Sequence, residues 1–152
     1  MKIRRTGPED CNTVAALVYE LLTELSLPNP VGTSFDDSTQ ITSELLQSSV
    51  FWALLAESDE GEAIGVLTLN ECAAIYAGGI FGEITELFVL PAFRSQGTGK
   101  QLINAAIQFG KERGWKRLEV CTPRVPPWER SLAFYQENAF VVLGPRLKLP
   151  LS

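Results

Sequence analysis

Arg94-Ser95-Gln96-Gly97-Thr98-Gly99 stands between the apolar, strand-like run Leu87-Phe88-Val89-Leu90-Pro91 and a helix-like run from Gln101 to Arg113. A strand, a glycine-bearing turn and a helix start bring unpaired main-chain N–H groups to one point, where the helix dipole adds partial positive charge. The chemistry such a loop serves is binding of a phosphate or pyrophosphate. Gly97 and Gly99 let the backbone approach the anion with no Cβ in the way. Residue types exclude two common phosphate loops. Lys100 follows Gly99, but Gln101 stands where the magnesium-binding hydroxyl of a P-loop belongs. The three-glycine dinucleotide fingerprint is missing, and the loop lies past mid-chain rather than after the first strand.

The titratable inventory narrows the chemistry further. Histidine is absent, so there is no Ser-His-Asp triad, no Cys-His pair and no histidine-containing metal site. Any general base is Asp, Glu, Cys, Tyr, Lys or water. Cys11, Cys72 and Cys121 form no CxxC pair and read as reduced, buried small hydrophobes. No metal is expected. The formal charge of −5 argues against nucleic acid, which needs a basic face, and suits a cationic substrate such as an amine. No apolar stretch approaches the about 20 residues of a membrane helix. Met1-Lys2-Ile3-Arg4-Arg5 lacks the apolar region of a signal peptide, so the expected compartment is the cytoplasm.

These residues need elements to position them. The chain of 152 residues reads as one domain, 1–152. Lys2 to Thr6 is a short first strand, and Thr6-Gly7-Pro8-Glu9-Asp10 opens a helix with a Thr cap. Val14, Leu17, Val18, Leu21, Leu22 and Leu25 give that helix one apolar stripe, and Pro28-Asn29-Pro30-Val31-Gly32 breaks it. Asp37 or Ser38 caps a second helix carrying Ile41, Leu45 and Leu46. Phe51 to Glu57 and Ala63 to Leu69 form a hairpin about the Ser58-Asp59-Glu60-Gly61 turn, and Ala73 to Gly82 is a loop or distorted hairpin connection. Glu83 to Leu90 is the next strand, then a helix from about Thr98 to Arg113, stopped by Gly114, and a strand from Arg117 to Thr122. Pro123, Pro126 and Pro127 enforce an extended loop. Trp128 to Glu137 is a short helix, and Phe140 to Leu143 and Arg146 to Leu151 are closing strands. The order is mixed α/β on one sheet.

Two segments carry a family resemblance. Leu87 to Gly99 resembles motif A of the GNAT superfamily of N-acetyltransferases, a strand, Val-x-Pro, then Arg/Gln-x-x-Gly-x-Gly/Ala and a helix. Ser131-Leu132-Ala133-Phe134-Tyr135-Gln136-Glu137-Asn138-Ala139-Phe140 is similar to motif B, which usually ends Phe-Tyr-x-x-x-Gly-Phe. Asn138-Ala139 replaces the usual Leu-Gly. Trp128 stands where the family often has an Asn contacting the pantetheine arm, so that contact is not carried over. The resemblance implies an α+β fold: a central mixed, mostly antiparallel twisted sheet of about six or seven strands flanked by about four helices. It also implies a splay between the fourth and fifth strands, here Glu83 to Leu90 and Arg117 to Thr122.

The resemblance further implies acetyl-CoA as donor and a primary amine as acceptor. By analogy, the stretch Arg94, Ser95, Gln96, Gly97, Thr98, Gly99 and Lys100 holds the pyrophosphate, with amides from Gln96 to Lys100 and charge from Arg94 and Lys100. Main-chain groups of Leu87, Phe88 and Val89 pair with pantetheine like an added strand, and the Val89 amide faces the thioester oxygen. Glu83 is the implied base that deprotonates the ammonium, with Glu86 the alternative. Strand alternation puts the two on opposite faces unless a bulge intervenes. Tyr135 is the implied acid for the departing thiolate. The acceptor is a small molecule, with a protein N-terminus or lysine as alternatives, and relatives that pair make a homodimer an expectation. A non-catalytic acyl-CoA-binding module and a nucleotide-phosphate-binding protein are the rival readings of the same loop.

Overall fold

The computed structural model describes residues 1–26, 32–123 and 128–151. They form two compact units, Met1–Val120 and Cys121–Ser152. The Pro28 to Val31 break and the Pro126-Pro127 loop lie outside the described residues.

The first unit is built on one sheet in the order β1-β2-β3-β4-β5. β1 (Lys2–Arg5), β2 (Phe51–Glu57), β3 (Ala63–Ala74) and β4 (Gly79–Val89) pair antiparallel in succession, and β5 (Leu118–Val120) joins β4 in parallel. The parallel pair requires a crossover, which α3 (Thr98–Arg113) supplies. The stretch expected as a loop or distorted hairpin connection at Ala73 to Gly82 is a regular hairpin. β3 runs to Ala74 and β4 restarts at Gly79, with Gly78 (φ 80) and Gly79 (φ 126) taking the left-handed turn conformation.

One face of the sheet is covered by α1 (Cys11–Ser26) and α2 (Phe35–Gln47). Val14 and Leu17 of α1 bury against Ala53, Leu55, Val66 and Phe88, with Leu46 of α2 packed alongside. Each such fully buried aliphatic side chain contributes about 1.5–3 kcal/mol. The start of α1 is pinned electrostatically. Arg4 donates to both Asp10 oxygens at 2.8 Å each and to Glu57 at 2.9 Å, and Asp10 accepts the Gly7 N–H at 2.7 Å. That Arg4 pairing holds the Asp10 carboxyl below its ordinary range. The expected Thr6 cap gives way to Gly7, which opens a 3-10 turn at Pro8–Asp10 before α1. For α2 the cap is Ser34, whose Oγ accepts the Asp37 N–H at 3.1 Å, and not Asp37 or Ser38.

The opposite face carries α3, which buries Leu102, Ile103, Ala106 and Phe109 at helical spacing. Gly114 (φ 81) turns the chain back so that Trp115 lies on Gly82. A Cβ on Gly82 would come within 2.2 Å of the indole. Trp115 Nε1 donates to Glu71 Oε1 at 2.6 Å, and Arg113 donates to the same oxygen at 2.8 Å. The strand expected over Arg117 to Thr122 is reduced to Leu118–Val120.

In the second unit α4 (Glu129–Glu137) follows Trp128 at its N-cap. The helix ends as Phe140 N–H donates to Tyr135 O at 3.0 Å with Ala139 at φ 72. An alanine held in this left-handed conformation costs roughly 1–2 kcal/mol. Phe140 to Leu143 and Arg146 to Leu151, expected as strands six and seven, are irregular. Among the described residues the sheet therefore has five strands. Alternation supplies only a candidate face, whereas a strand needs a ladder partner, and among the described residues these segments have none. Pro145 and Pro150 also remove two donors.

Gly82→Ala tests the packing that closes the α3 face. The overpacked indole is expected to cost about 1–3 kcal/mol, read as a lower urea midpoint with an unchanged slope. A midpoint equal to that of the parent chain would contradict the packing.

Candidate active site

The two edges of β4 are unequally paired. On one side it follows β3 as far as Val89, opposite Gly65. On the other, β5 meets only Gly82, Glu83 and Ile84. Leu90 N–H donates to Ile64 O at 2.9 Å, and antiparallel alternation then turns the main chain of Phe88 toward β3 and that of Leu87 and Val89 away from it. The Leu87 and Val89 N–H groups thus face a side of β4 along which β5 does not run. This is the expected splay between the fourth and fifth strands.

The chain next enters a 3-10 turn at Pro91–Phe93, passes Ser95 (φ 63) and Gly97 (φ 86), and starts α3 at Thr98. Gly97 is the N-cap and has no side chain to cap with, so the N–H groups of Thr98, Gly99 and Lys100 have no intrahelical acceptor. Gln101 N–H is the first to find one, Gly97 O at 3.0 Å. Apart from Gly97 and its two chain neighbours, no atom lies within 4 Å of where a Gly97 Cβ would stand. The Gln96 side chain is drawn back onto Ala92 O at 3.2 Å. These donors fit an anionic diphosphate followed by an extended, amide-bearing arm, and Lys100 adds an exposed cation beside them. Arg94 is placed otherwise than expected. Its Nη groups bind the Glu24 carboxylate at 2.7 and 3.1 Å, its Nε binds Val89 O at 2.9 Å, and its guanidinium lies 5.3 Å from the Phe88 ring centre. It ties the loop to α1.

A bulge decides where the carboxylates point. Thr68 stands opposite Glu86 and Leu69 opposite Ile84, so Thr85 has no partner. One inserted residue cancels the alternation, and Glu83, opposite Asn70, shares a face with Glu86. That face continues the one on which α1 packs, because Val66 and Thr68 alternate onto the same side. Thr68 donates a short hydrogen bond to Glu86 Oε1, and the Thr85 hydroxyl lies 3.1 Å from the same oxygen. Near Glu83, the Cys72 thiol donates to its Oε2 at 3.8 Å. Burial first, and then the Glu83 charge, push the Cys72 thiol up, which keeps it protonated and a poor nucleophile. Across the parallel pair Glu119 faces Glu83 and is bound by Arg117 Nε at 2.9 Å.

In the second unit Tyr135 is buried, with Phe134 and Phe140 edge-on at 5.3 and 5.6 Å. Burial pushes its phenol up to about 12. Cys121, expected to be buried, is exposed, and Cys11 and Cys72 are half-buried. Sequence reasoning missed Thr68, Thr85 and Glu24. The signal for Thr68 was present, since a hydroxyl inside the apolar run Val66-Leu67-Thr68-Leu69 must find partners. Among the described residues no group of three Cys, Asp or Glu is arranged to hold a metal, and no helix is long and apolar enough to cross a membrane.

Comparison with known proteins bears on this arrangement. Residues 16–140 match the model of the acetyltransferase (GNAT) family. The chain is 31% identical over 125 residues to an uncharacterised N-acetyltransferase of Archaeoglobus fulgidus, covering 82% of this chain and 83% of that one. It is 31% identical over 122 residues to the aminoalkylphosphonate N-acetyltransferase of Salmonella typhimurium, covering 80% and 73%. An aminoglycoside N-acetyltransferase solved with CoA has the same fold, at a TM-score of 0.78 and 22% identity over 98% of this chain and 93% of that one.

The Tyr135 phenol gives a pH test. A folded value of about 12 above the ordinary value of about 10 leaves stability intact below about pH 10 and removes it as pH rises toward about 12. Tyr135→Phe is expected to abolish the phenolate absorbance that appears last in an alkaline titration. A Tyr135 increment complete by about pH 10 would contradict its burial.

Proposed function

The chain belongs to the acetyltransferase (GNAT) family and is an acyltransferase, and we propose that it carries the acetyl group of acetyl-CoA directly to the primary amine of a small molecule. The observation that carries this reading is the one-sided pairing of β4, which leaves outward N–H groups at Leu87 and Val89 in line with the uncapped start of α3. The amides from Gln96 to Lys100 hold the diphosphate, and Leu87 to Val89 pair with the pantetheine arm as a strand would. The Val89 N–H then donates to the acyl oxygen as negative charge develops there. Small-molecule amines are favoured by the name of the aminoalkylphosphonate enzyme and by the acidity of the chain.

The incoming amine is largely an ammonium near neutral pH, with an ordinary value of roughly 8–10. Glu86, fixed by two hydroxyls, holds that cation, and Glu83 on the same face takes its proton. The freed nitrogen attacks the acyl carbon, the N–C bond forms and the C–S bond breaks. Tyr135, which keeps its proton at neutral pH, supplies it to the departing thiolate, and the second proton shed by the nitrogen as it becomes an amide restores the phenol. Transfer is direct, because the thiol nearest the carboxylates is held protonated. Loss of a proton from the substrate makes the rate rise with pH through the range where the amine titrates.

Release of free thiol from acetyl-CoA across a panel of primary amines tests this function, and silence with all of them would contradict it. Within an active enzyme, Glu83→Gln is expected to lower kcat about 10²–10⁴-fold. Gly97→Val, forced into a left-handed backbone that valine avoids, is expected to raise the KM for acetyl-CoA at least about tenfold with less effect on the fold. An unchanged KM would remove the loop from the donor site.

A further inference from the structure

We propose that Thr68 is a positioning residue for amine transfer: its hydroxyl holds the β4 bulge closed and so places Glu86 beside Glu83. The inference rests on the function proposed above. Thr68 is 1% exposed, and its oxygen is fully employed. It accepts the Glu86 N–H at 2.9 Å, donates to Glu86 Oε1, and lies 2.6 Å from Thr85 Oγ1.

The hydrogens balance. Thr68 has one proton, and only the carboxylate lacks a proton of its own, so that proton goes to Glu86 Oε1. Thr85 gives its proton to Thr68 Oγ1 or to the same carboxylate oxygen. The Glu86 N–H points toward β3 at a place where the inserted Thr85 has broken the ladder, and it takes the Thr68 side chain as acceptor. An apolar side chain at position 68 leaves that N–H and Glu86 Oε1 without this partner inside a half-buried sheet.

Two consequences follow from one atom. The bulge is the reason that Glu83 and Glu86 share a face, since an unbroken register would send one of them to the α3 side. The carboxylate itself is held by its Oε1, and among the described residues the bonds recorded for Glu86 leave Oε2 for an ammonium. Thr68 touches neither substrate in this arrangement and acts through Glu86.

The test compares Thr68→Val, which keeps the volume and deletes the hydroxyl, with Thr68→Ser, which keeps the hydroxyl. In steady-state kinetics with a primary amine, Thr68→Val is expected to lower kcat about tenfold or more with the acetyl-CoA KM within about twofold, and Thr68→Ser is expected to stay within about threefold of the parent. Thr68→Val combined with Glu86→Gln is expected to be no slower than Glu86→Gln alone. Thr85→Val, at an exposed position, deletes the second hydroxyl without touching the core and is expected to lower kcat about threefold. Amide exchange reads the same device without turnover, with the Glu86 N–H losing protection in Thr68→Val and keeping it in Thr68→Ser.

Equal kcat for the parent and Thr68→Val, or equal loss in the valine and serine variants, would overturn the inference. So would an unchanged Glu86 amide. An inactive parent chain with a Thr68-dependent Glu86 amide would sink the proposed function and leave the bulge assignment standing.

Discussion

β4 pairs with β3 from Gly79 to Val89 on one edge, broken only by the bulge at Thr85, and for only three residues on the other. Almost every feature of the candidate site follows from that inequality. Main-chain N–H groups that a fifth strand would have used stay available at Leu87 and Val89, and a ligand carrying amides of its own can complete the sheet there. Such a ligand must have a polar head within reach of the following loop. The start of α3 meets that requirement because Gly97 takes a left-handed conformation and leaves three helix amides without intrahelical acceptors. In the proposed reading, anion and strand mimic are recognised mostly by backbone, so the geometry of this region matters more than its side-chain identities.

Holding the site open has a structural cost that other contacts offset. Arg94 is the clearest case. Its guanidinium binds Glu24, Val89 O and the Phe88 ring at once, so the end of β4 is anchored to α1 and stays away from β5. At the other end of the strand, Trp115 sits on Gly82 and bonds Glu71, keeping β5 and α3 against the closed part of the sheet. The bulge at Thr85 lies between these two anchors. There the ladder gives up a main-chain bond and receives a hydroxyl, and both carboxylates come to one face of the sheet.

Much of this was legible from residue types. The strand, glycine turn and helix start around Gly97 were readable because each has a local cause. The same holds for the first hairpin, the α1 stripe and the Gly114 stop. The carboxylates Glu83 and Glu86 were named as candidates, but their shared face depends on a one-residue bulge, and a register shift leaves no local mark in sequence. Arg94 is expected to add charge beside the diphosphate, and nothing near it in sequence reveals Glu24, which lies 70 residues away. The closing strands failed for a related reason. Arg146 to Leu151 alternates well, yet a ladder partner is a property of the fold and cannot be seen in the segment.

The central claim is that the open side of β4 and the start of α3 together receive CoA. Amide hydrogen exchange with and without CoA tests it most directly. The account predicts slowed exchange at Leu87, Val89 and the amides from Gln96 to Lys100, with little change along β1 and β2. Saturating CoA that left those amides unprotected, or that protected a different surface instead, would contradict it.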